Sequence, residues 1–336
     1  MTIYGGKKQR IQFHKETTWG ADPSWVSGTV VGLVQGSPSI TADNQLVNVF
    51  AGGLMNSRAV LEGATKIGAR IEWYPVDVNF MMPGVGDFDS TSPVANGGST
   101  WVHRGGSSDS TTTTVSAVEN SPISYTMKIG IATANKNITF VGCKTNSLTI
   151  NLTLDEPLKC SADIIAKEAR LDTDVKVVSS IADEPLMYHR KGRVLMSGIQ
   201  VAETTNISMT INQNLQTSNG IQESRNINAL EPGNREITGS ITLNYDGDDT
   251  EAIQMFGGST ISGASVVNFD TELLLDNNKS SIASGYRGIY IKAENMKLGT
   301  LERTHPVEGG MISETYDFTA RDIWISGTNA TSTEPW

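Results

Sequence analysis

The chain has 336 residues, a length that suits two domains of ordinary size. Only 18 % of the residues are charged, and threonine, serine, asparagine and glycine are abundant, which is typical of β-rich proteins with many polar strand positions. The net charge of −10 argues against a nucleic-acid binder, because such proteins hold phosphates with basic patches. Residues 1–10 lack the apolar core of a signal peptide, and no stretch is long and apolar enough to span a membrane.

In chain order, residues 1–21 are expected to form an N-terminal arm, and residues 22–178 a first domain. Apolar residues alternate with polar ones in this domain, which predicts half-buried strands. The alternating sets are Ile67, Ala69, Ile71 and Trp73, and then Leu148, Ile150, Leu152 and Leu154. The turn Asp155-Glu156-Pro157 follows the second set. Residues 78–98 are rich in glycine, serine, aspartate and proline and predict an inserted surface loop.

Residues 179–186 are predicted to be a linker, residues 187–325 a second domain, and residues 326–336 a flexible C-terminal tail. The second domain repeats the strand signal at four places, which are Ile207, Met209 and Ile211; Ile237, Ile241, Leu243 and Tyr245; Val267, Phe269, Leu273 and Leu275; and Tyr316, Phe318 and Ala320. A short helix is expected from a cap at Asp248 or Asp249 to Gly257-Gly258. Residues 100–104 are its expected counterpart in the first domain.

The two predicted domains resemble each other in sequence. Ser39-Ile40-Thr41 reappears as Ser208-Met209-Thr210, and Leu61-Glu62 as Leu230-Glu231, each 169 positions apart (208 − 39, 230 − 61). Gly63, Ile67 and Ile71 then match Gly233, Ile237 and Ile241 at 170 positions. A period this long is not a solenoid repeat. It predicts a tandem duplication of one domain, and a fused pair can fill two adjacent positions in a ring.

Two long loops are the most suggestive segments. Residues 44–63 and 212–233 join well-patterned strands, although hairpin connections usually have 2 to 5 residues. Both loops carry apolar side chains, so each either folds back on its own domain or docks on a neighbour. Their presence in both copies favours docking. The candidate interface residues are Leu46, Phe50, Leu54, Met55 and Leu61 in the first loop and Leu215, Ile221, Ile227 and Leu230 in the second.

The sequence carries no catalytic or metal-binding motif, so we expect neither an enzyme nor a cofactor. His14, His103, His189 and His305 are scattered without ligand spacing. The run Asp246-Gly247-Asp248-Asp249 lacks the distal glutamate of a calcium loop and is more simply a helix cap. Asp172 and Asp174 are more simply a solvated strand edge than a catalytic pair. Cys143 and Cys160 are expected to be free, half-buried thiols in adjacent strands.

Two segments carry a resemblance to a known family. Glu16-Thr17-Thr18-Trp19-Gly20-Ala21-Asp22-Pro23 is similar to the N-terminal arm of the tail tube proteins (major tail proteins) of long-tailed bacteriophages. Residues 208–240, which end in Gly233-Asn234-Arg235-Glu236-Ile237-Thr238-Gly239-Ser240, resemble the strand, long loop and "G-x-R-x-ITGS" strand of that family. The first copy keeps this order but has Ala64-Thr65-Lys66 in place of Asn234-Arg235-Glu236. The resemblance covers nearly the whole chain.

The resemblance implies a fold and a function. Each copy is expected to be a tube-type β-sandwich or barrel with one short helix and a long loop between its first strands. In the family, six such domains form a ring around a lumen, the long loops bridge to the next ring, and the rings stack into the tail tube. Three duplicated chains would then close one ring, with residues 78–98 on the outer wall.

The implied partners are other copies of the chain, in homotrimeric rings, together with the tape measure protein and the terminator and baseplate proteins at the tube ends. Genomic DNA would pass through the lumen without specific binding, and no membrane is involved. The expected location is the virion, after assembly in the host cytoplasm.

A two-domain β-sandwich binding module, an adhesin or carbohydrate-binding protein, is the alternative. It would explain the β-content and use Trp19, Trp101 and Trp336 as exposed aromatic residues. It would not explain the apolar residues of both long loops. A binding module stays small in solution, whereas a tube protein forms rings or tubes.

Overall fold

The part of the chain that the structure describes consists mainly of antiparallel β-strands, as the sequence predicts. A computed structural model describes residues 9–23, 29–31, 33–35, 38–49, 59–76, 78–88, 94–95, 101–106, 122–131, 136–172, 186–188, 192–196, 198–201, 203–219, 225–245, 268–276, 288–305 and 311–329.

The first half of the chain contains fourteen strands and one short helix among these residues. They are β1 (Gln9–Lys15), β2 (Thr29–Val30), β3 (Leu33–Val34), β4 (Ser39–Asp43), β5 (Leu46–Val49), β6 (Ala59–Glu62), β7 (Lys66–Tyr74), α1 (Met82–Val85), β8 (Asp87–Phe88), β9 (Val94–Ala95), β10 (Trp101–Gly106), β11 (Tyr125–Ile131), β12 (Lys136–Thr153), β13 (Lys159–Ala166) and β14 (Glu168–Asp172).

The second half contains ten strands among its described residues. They are β15 (Gly192–Met196), β16 (Ile199–Gln200), β17 (Thr204–Asn212), β18 (Gln216–Ser218), β19 (Ala229–Glu231), β20 (Glu236–Asn244), β21 (Phe269–Asp276), β22 (Gly288–Thr304), β23 (Ser313–Ala320) and β24 (Asp322–Asn329).

The two halves pair their strands in the same order. In the first half β1 pairs with β2 and β11, β11 with β12, and β12 with β13 and β14. In the second half β15 pairs with β16 and β21, β21 with β22, and β22 with β23 and β24. Each half therefore depends on one long strand, β12 or β22, that takes part in two sheets.

The predicted alternation matches the burial of the strands. Ile67, Ala69, Ile71 and Trp73 of β7 are buried while the residues between them are not. The alternating residues of β12, β17, β20 and β23 are buried in the same way, except that Leu154, just beyond β12, is exposed. One hydrophobic cluster includes residues from both halves. The period of two thus separates a core face from a polar face on β7, β17, β20, β23 and the second half of β12.

The prediction of a surface loop at residues 78–98 is wrong for residues 78–85. Val78, Phe80, Met82 and Val85 are buried, and Met82–Val85 form helix α1. The Phe80 ring lies 5.0 Å from the Trp73 ring and 4.8 Å from the Phe13 ring, measured between centroids. The glycine and proline residues of this segment suggested a solvated loop, although the segment also contains an apolar run. In the structure these residues allow the tight entry to the helix and its close packing. The structure describes only residues 87–88 and 94–95 of the remainder.

The N-terminal arm also belongs to the folded domain. Strand β1 pairs with β11 over seven residues, and its Ile11 and Phe13 are buried. Beyond it, the Glu16 carboxylate accepts hydrogen bonds from the backbone N–H groups of Gly20 and Gly142 at 2.8 and 2.7 Å. The expectation of a separate arm is therefore wrong from Gln9 onward, because the segment completes a sheet.

Two further boundaries differ from the expectation. Strand β24 continues to Asn329 and pairs with β10, which places residues 326–329 in a sheet rather than in a flexible tail. Strand β10 itself covers residues 101–104, where a helix was expected, so that expectation is wrong. The other predicted helix, at residues 248–257, lies outside the described residues, as does most of the predicted linker.

Replacing Gly239 by alanine tests the close packing of the second half. A Cβ at Gly239 would lie 2.3 Å from the Ser208 backbone oxygen and from the Phe318 ring, whereas at Gly299 the nearest atom would be 4.0 Å away. We expect Gly239→Ala to lower the free energy of unfolding by about 1–3 kcal/mol. Gly299→Ala should change it by less than about 0.5 kcal/mol. Urea denaturation of the unassembled chain measures both, and equal midpoints would contradict the prediction.

Candidate assembly interface

One sheet runs through both halves of the chain. From edge to edge its strands are β4, β7, β13, β12, β17, β20, β23 and β22, and all neighbours are antiparallel. The first four strands come from the first half and the last four from the second. We call this eight-stranded arrangement the continuous sheet. It joins the halves through backbone hydrogen bonds rather than through a side-chain contact alone.

The junction within the continuous sheet is the pair β12 and β17. Seven residue pairs face each other, from Ser147 opposite Asn212 to Thr153 opposite Asn206. On the core side the buried Leu148 and Ile150 lie opposite Ile211 and Met209. A slip of one residue would turn these side chains toward solvent, so burial fixes the register.

Hydroxyl and amide groups dominate the polar face of the continuous sheet. The Thr149 and Thr210 hydroxyls lie 3.1 Å apart across the junction, and so do those of Thr242 and Thr315 further along. Thr153 donates to the Asn206 side-chain oxygen at 3.0 Å. The short polar side chains at these positions therefore satisfy one another's hydrogen-bonding groups across neighbouring strands.

The charges on this face partly neutralise each other. Arg70 lies 3.7 Å from a Glu72 oxygen and 3.8 Å from an Asp163 oxygen, and Lys159 lies 3.1 Å from Glu72. These pairs are at least a third exposed, so each contributes little to stability. They leave no strong cluster of cations to hold a polyanion.

The second long loop packs on the first half of the chain. Arg225 donates to the Gly63 carbonyl oxygen at 3.0 Å and to the Glu62 carboxylate at 2.6 Å. Its own carbonyl oxygen accepts from the Thr65 N–H at 3.0 Å. Asn226 donates to the Glu168 carboxylate at 3.0 Å, so the loop also reaches strand β14.

A lysine of the first half holds the end of the same loop. The Lys144 ammonium group donates to the Leu230 carbonyl oxygen at 2.8 Å. Partial burial lowers the pKa of Lys144, and the nearby Glu231 opposes that shift. The second loop therefore docks on the other half of its own chain.

The bases of the two loops share one backbone geometry. Gln45 and Asn214, 169 positions apart (214 − 45), both have positive φ, of 43° and 47°. A Cβ on Gly63 would lie 2.5 Å from the Gln45 carbonyl oxygen, and a Cβ on Gly233 would lie 2.5 Å from that of Asn214. Only glycine fits this close approach, which explains why both positions carry it.

Corresponding apolar residues of the two loops, and of the strands β4 and β17 that precede them, differ sharply in exposure. Leu61 is 55 % exposed, whereas Leu230, which matches it in sequence, is 2 % exposed. Ile40 on β4 is 40 % exposed, whereas its match Met209 on β17 is 1 % exposed. The second-half residues are covered by the first half of the same chain, whereas the described residues leave Leu61 and Ile40 exposed.

The structure places five of the nine predicted interface residues. Leu46 and Leu61 are exposed, Leu215 is half-buried, and Ile227 and Leu230 are buried. Phe50, Leu54, Met55 and Ile221 lie outside the described residues. The sequence analysis named no residue of the edge strand β4 as an interface residue. The match between Ile40 and Met209 was a signal that could have identified it.

Cys143 and Cys160 are structural thiols rather than reactive ones. Burial raises the pKa of Cys143 well above its usual value, and the nearby Glu16 adds to the shift. Burial also raises the pKa of Cys160. Both cysteines are free, as expected, and more deeply buried than expected. Among the described residues no group of three or more His, Cys, Asp or Glu could hold a metal ion.

The comparison with protein families gives one match. A family model described as phage tail tube protein matches residues 6–320 of the chain. No curated protein matches the chain. No helix in the described part of the chain has the length and apolar character needed to cross a membrane.

The thiols provide a test of the core. Because the thiolate is the reactive form and both thiols are buried with raised pKa values, we expect the folded chain to show no fast-reacting thiol at pH 8. Denaturation in urea should release both. A colorimetric thiol assay with and without urea measures this. A rapid reaction in the folded chain would show that the junction strands open readily.

Proposed function

Because the chain belongs to the phage tail tube protein family, it is a structural component of the virion, and we propose that its continuous sheet is one segment of the wall that encloses the tube lumen. The observation that carries the proposal is the continuous sheet, whose two edges, β4 and the end of β22, have a strand partner on one side only among the described residues. A half-buried sheet with open edges pairs with further strands, and closure into a barrel removes the edges.

We propose that the chain is a tandem duplication and that three chains close one ring. The support is the common order of strand pairings in the two halves and the common geometry at the bases of their loops. The continuous sheet joins the two halves side by side, which would make the two proposed domains neighbours in one ring. If a ring contains six domains, as in the resembled family, three such chains complete it.

The polar face of the continuous sheet fits the proposed lumen. Its Ser, Thr and Asn side chains are short and hydrogen-bonded to one another, and its basic residues Arg70 and Lys159 are paired with carboxylates. DNA phosphates would find hydration but few free cations there. The surface would let DNA pass without holding it, and the protein would act without catalysis or a cofactor.

The loop tips are proposed to contact the adjacent ring. The first loop carries Phe50, Leu54 and Met55 between two exposed strands, and the second carries Ile221. The buried Ile227 and Leu230 would position the second loop rather than contact another ring. The remaining proposed partners are the tape measure protein inside the tube and the terminator and baseplate proteins at its ends, with assembly in the host cytoplasm.

Ring composition is the first test. Purified chain should assemble into tubes, and image reconstruction by cryo-electron microscopy should show three chains per ring with both halves of each chain in one ring. The reason is that the junction β12–β17 fixes the two halves side by side. Six chains per ring, or the two halves stacked along the axis, would contradict the three-chain ring. A chain that stays small under all conditions would favour a binding module instead.

The loop tips are tested by serine substitution. Phe50→Ser, Leu54→Ser and Met55→Ser together should abolish tube growth while the melting temperature of the unassembled chain stays within a few degrees of wild type, because the apolar contacts between rings are lost. Sedimentation and electron microscopy measure growth.

The matched control replaces three exposed apolar residues outside the loops, Leu154, Leu171 and Met311, by serine. This control should form tubes of normal length. Normal growth of the loop variant, or loss of growth in both triple variants, would contradict a specific role of the loop tips.

A further inference from the structure

We propose that the end of β22, Thr300–Thr304, pairs with β4, Ser39–Asp43, of the next chain, with Thr300 opposite Asp43 and Thr304 opposite Ser39. The proposal rests on the proposed ring and goes beyond it, because it assigns the strands and the register that would join the chains. Within one chain, the described residues leave both segments paired on one side only.

Strand β22 corresponds to β12 with an offset of 153 positions (300 − 147). The pairing of β12 with β13 shifts between Thr145 and Ser147, and that of β22 with β23 shifts between Leu298 and Thr300. Directly after the shift, Ser147 donates to the Asp163 carboxylate at 2.9 Å, and Thr300 donates to the Asp317 carboxylate at 2.6 Å. The same bulge and the same hydrogen bond fix the correspondence to the residue.

Strand β4 corresponds to β17 with an offset of 169 positions (212 − 43). The Asp43 carboxylate accepts from the Gln45 N–H at 3.0 Å, and the Asn212 side-chain oxygen accepts from the Asn214 N–H at 3.1 Å. Each of these bonds ends its strand just before the residue with positive φ. The end of β4 is thus aligned with the end of β17.

The register of the β12–β17 junction within the chain predicts the register of the contact between chains. Ser147 faces Asn212 and Thr149 faces Thr210 in the junction. Adding 153 to the β12 positions and subtracting 169 from the β17 positions gives Thr300 facing Asp43 and Glu302 facing Thr41. All four of these residues would lie on the polar face, and each pair would place a threonine hydroxyl opposite a carboxylate. On the core side Leu301 would face Ala42, and Arg303, which matches Ile150, would face Ile40.

Both edges are suited to such pairing. All five residues of β4 are exposed, as are Glu302 and Thr304 of β22. Neither segment contains proline, and β4 has no bulge that would block pairing. A second copy of the chain is the only occupant that supplies the complementary edge at both ends, because each chain carries one edge of each kind.

The same correspondence assigns a contact to the base of the first loop. Lys144 donates to the Leu230 carbonyl oxygen within the chain. Lys297 matches Lys144 (297 − 144 = 153), and Leu61 matches Leu230. Lys297 of one chain is therefore placed to donate to the Leu61 carbonyl oxygen of the next. The exposed base of the loop would belong to the contact within the ring, and the tip would remain for the adjacent ring.

Engineered disulfides test the register in assembled tubes of the full chain. Thr41→Cys with Glu302→Cys places two thiols on one face in directly opposed positions, where a disulfide can form. Ala42→Cys with Glu302→Cys is the control, because a neighbouring residue points to the opposite face. Thr149→Cys with Thr210→Cys is the internal reference, since those hydroxyls lie 3.1 Å apart within one chain. The native thiols are buried and do not compete.

We expect Thr41→Cys with Glu302→Cys to give covalently linked chains on a non-reducing gel, in a ladder that ends at three chains. The Ala42 control should remain at one chain. A second in-register pair, Ser39→Cys with Thr304→Cys, should behave like the first and guards against one pair with poor disulfide geometry. Electron microscopy under reducing conditions establishes that each variant has assembled.

The outcomes separate this proposal from the proposed function. Tubes in which neither in-register pair links, or in which the Ala42 control links, overturn the register while the tube function stands. A ladder that continues to six chains supports the register and overturns the three-chain ring. Wild-type chain that forms no tubes overturns both the register and the proposed wall of the lumen.

Discussion

The antiparallel pairing of β12 with β17 is the constraint on which the rest of the molecule depends. It converts two four-stranded sheets into the continuous sheet and sets which residues of each half face the core. Because seven residue pairs are in register at this junction, the halves cannot slide past each other without breaking several hydrogen bonds at once. The position of the second loop on the first half follows from this arrangement.

The long strands β12 and β22 explain how each half holds its core together. Each strand leaves one sheet and enters the continuous sheet, so its residues line both walls of the same core. Helix α1 contacts β12, and Gly84 at its centre approaches Leu148 so closely that a Cβ would lie 2.7 Å from the leucine Cβ. The apolar run around Met82 therefore serves the core under the junction.

A tube protein has to combine strong contacts between copies with weak contacts to its cargo. In the proposed tube wall, the continuous sheet would divide these tasks between its two faces and its edges. Its buried face provides the apolar contacts that stabilise the fold, and its edges offer backbone groups for pairing. Its polar face has hydroxyls that are already hydrogen-bonded to each other, such as Thr149 with Thr210. Because these hydroxyls are already hydrogen-bonded, such a face would bind a polyanion only weakly.

The sequence by itself determined most of the long strands and their core face, because period-two alternation is a local property of each strand. The family followed from the resemblance carried by residues 16–23 and 208–240. Ile67 to Trp73 and Ile237 to Leu243 were placed correctly from pattern alone. It did not determine the role of residues 78–85, where glycine and proline read as a loop and the chain buries Phe80 against Trp73. It also did not distinguish Leu61 from Leu230, which match in the repeat and are both followed by glutamate. Only the tertiary structure decided that one is exposed and the other covered, because coverage depends on which half of the chain lies beside each loop.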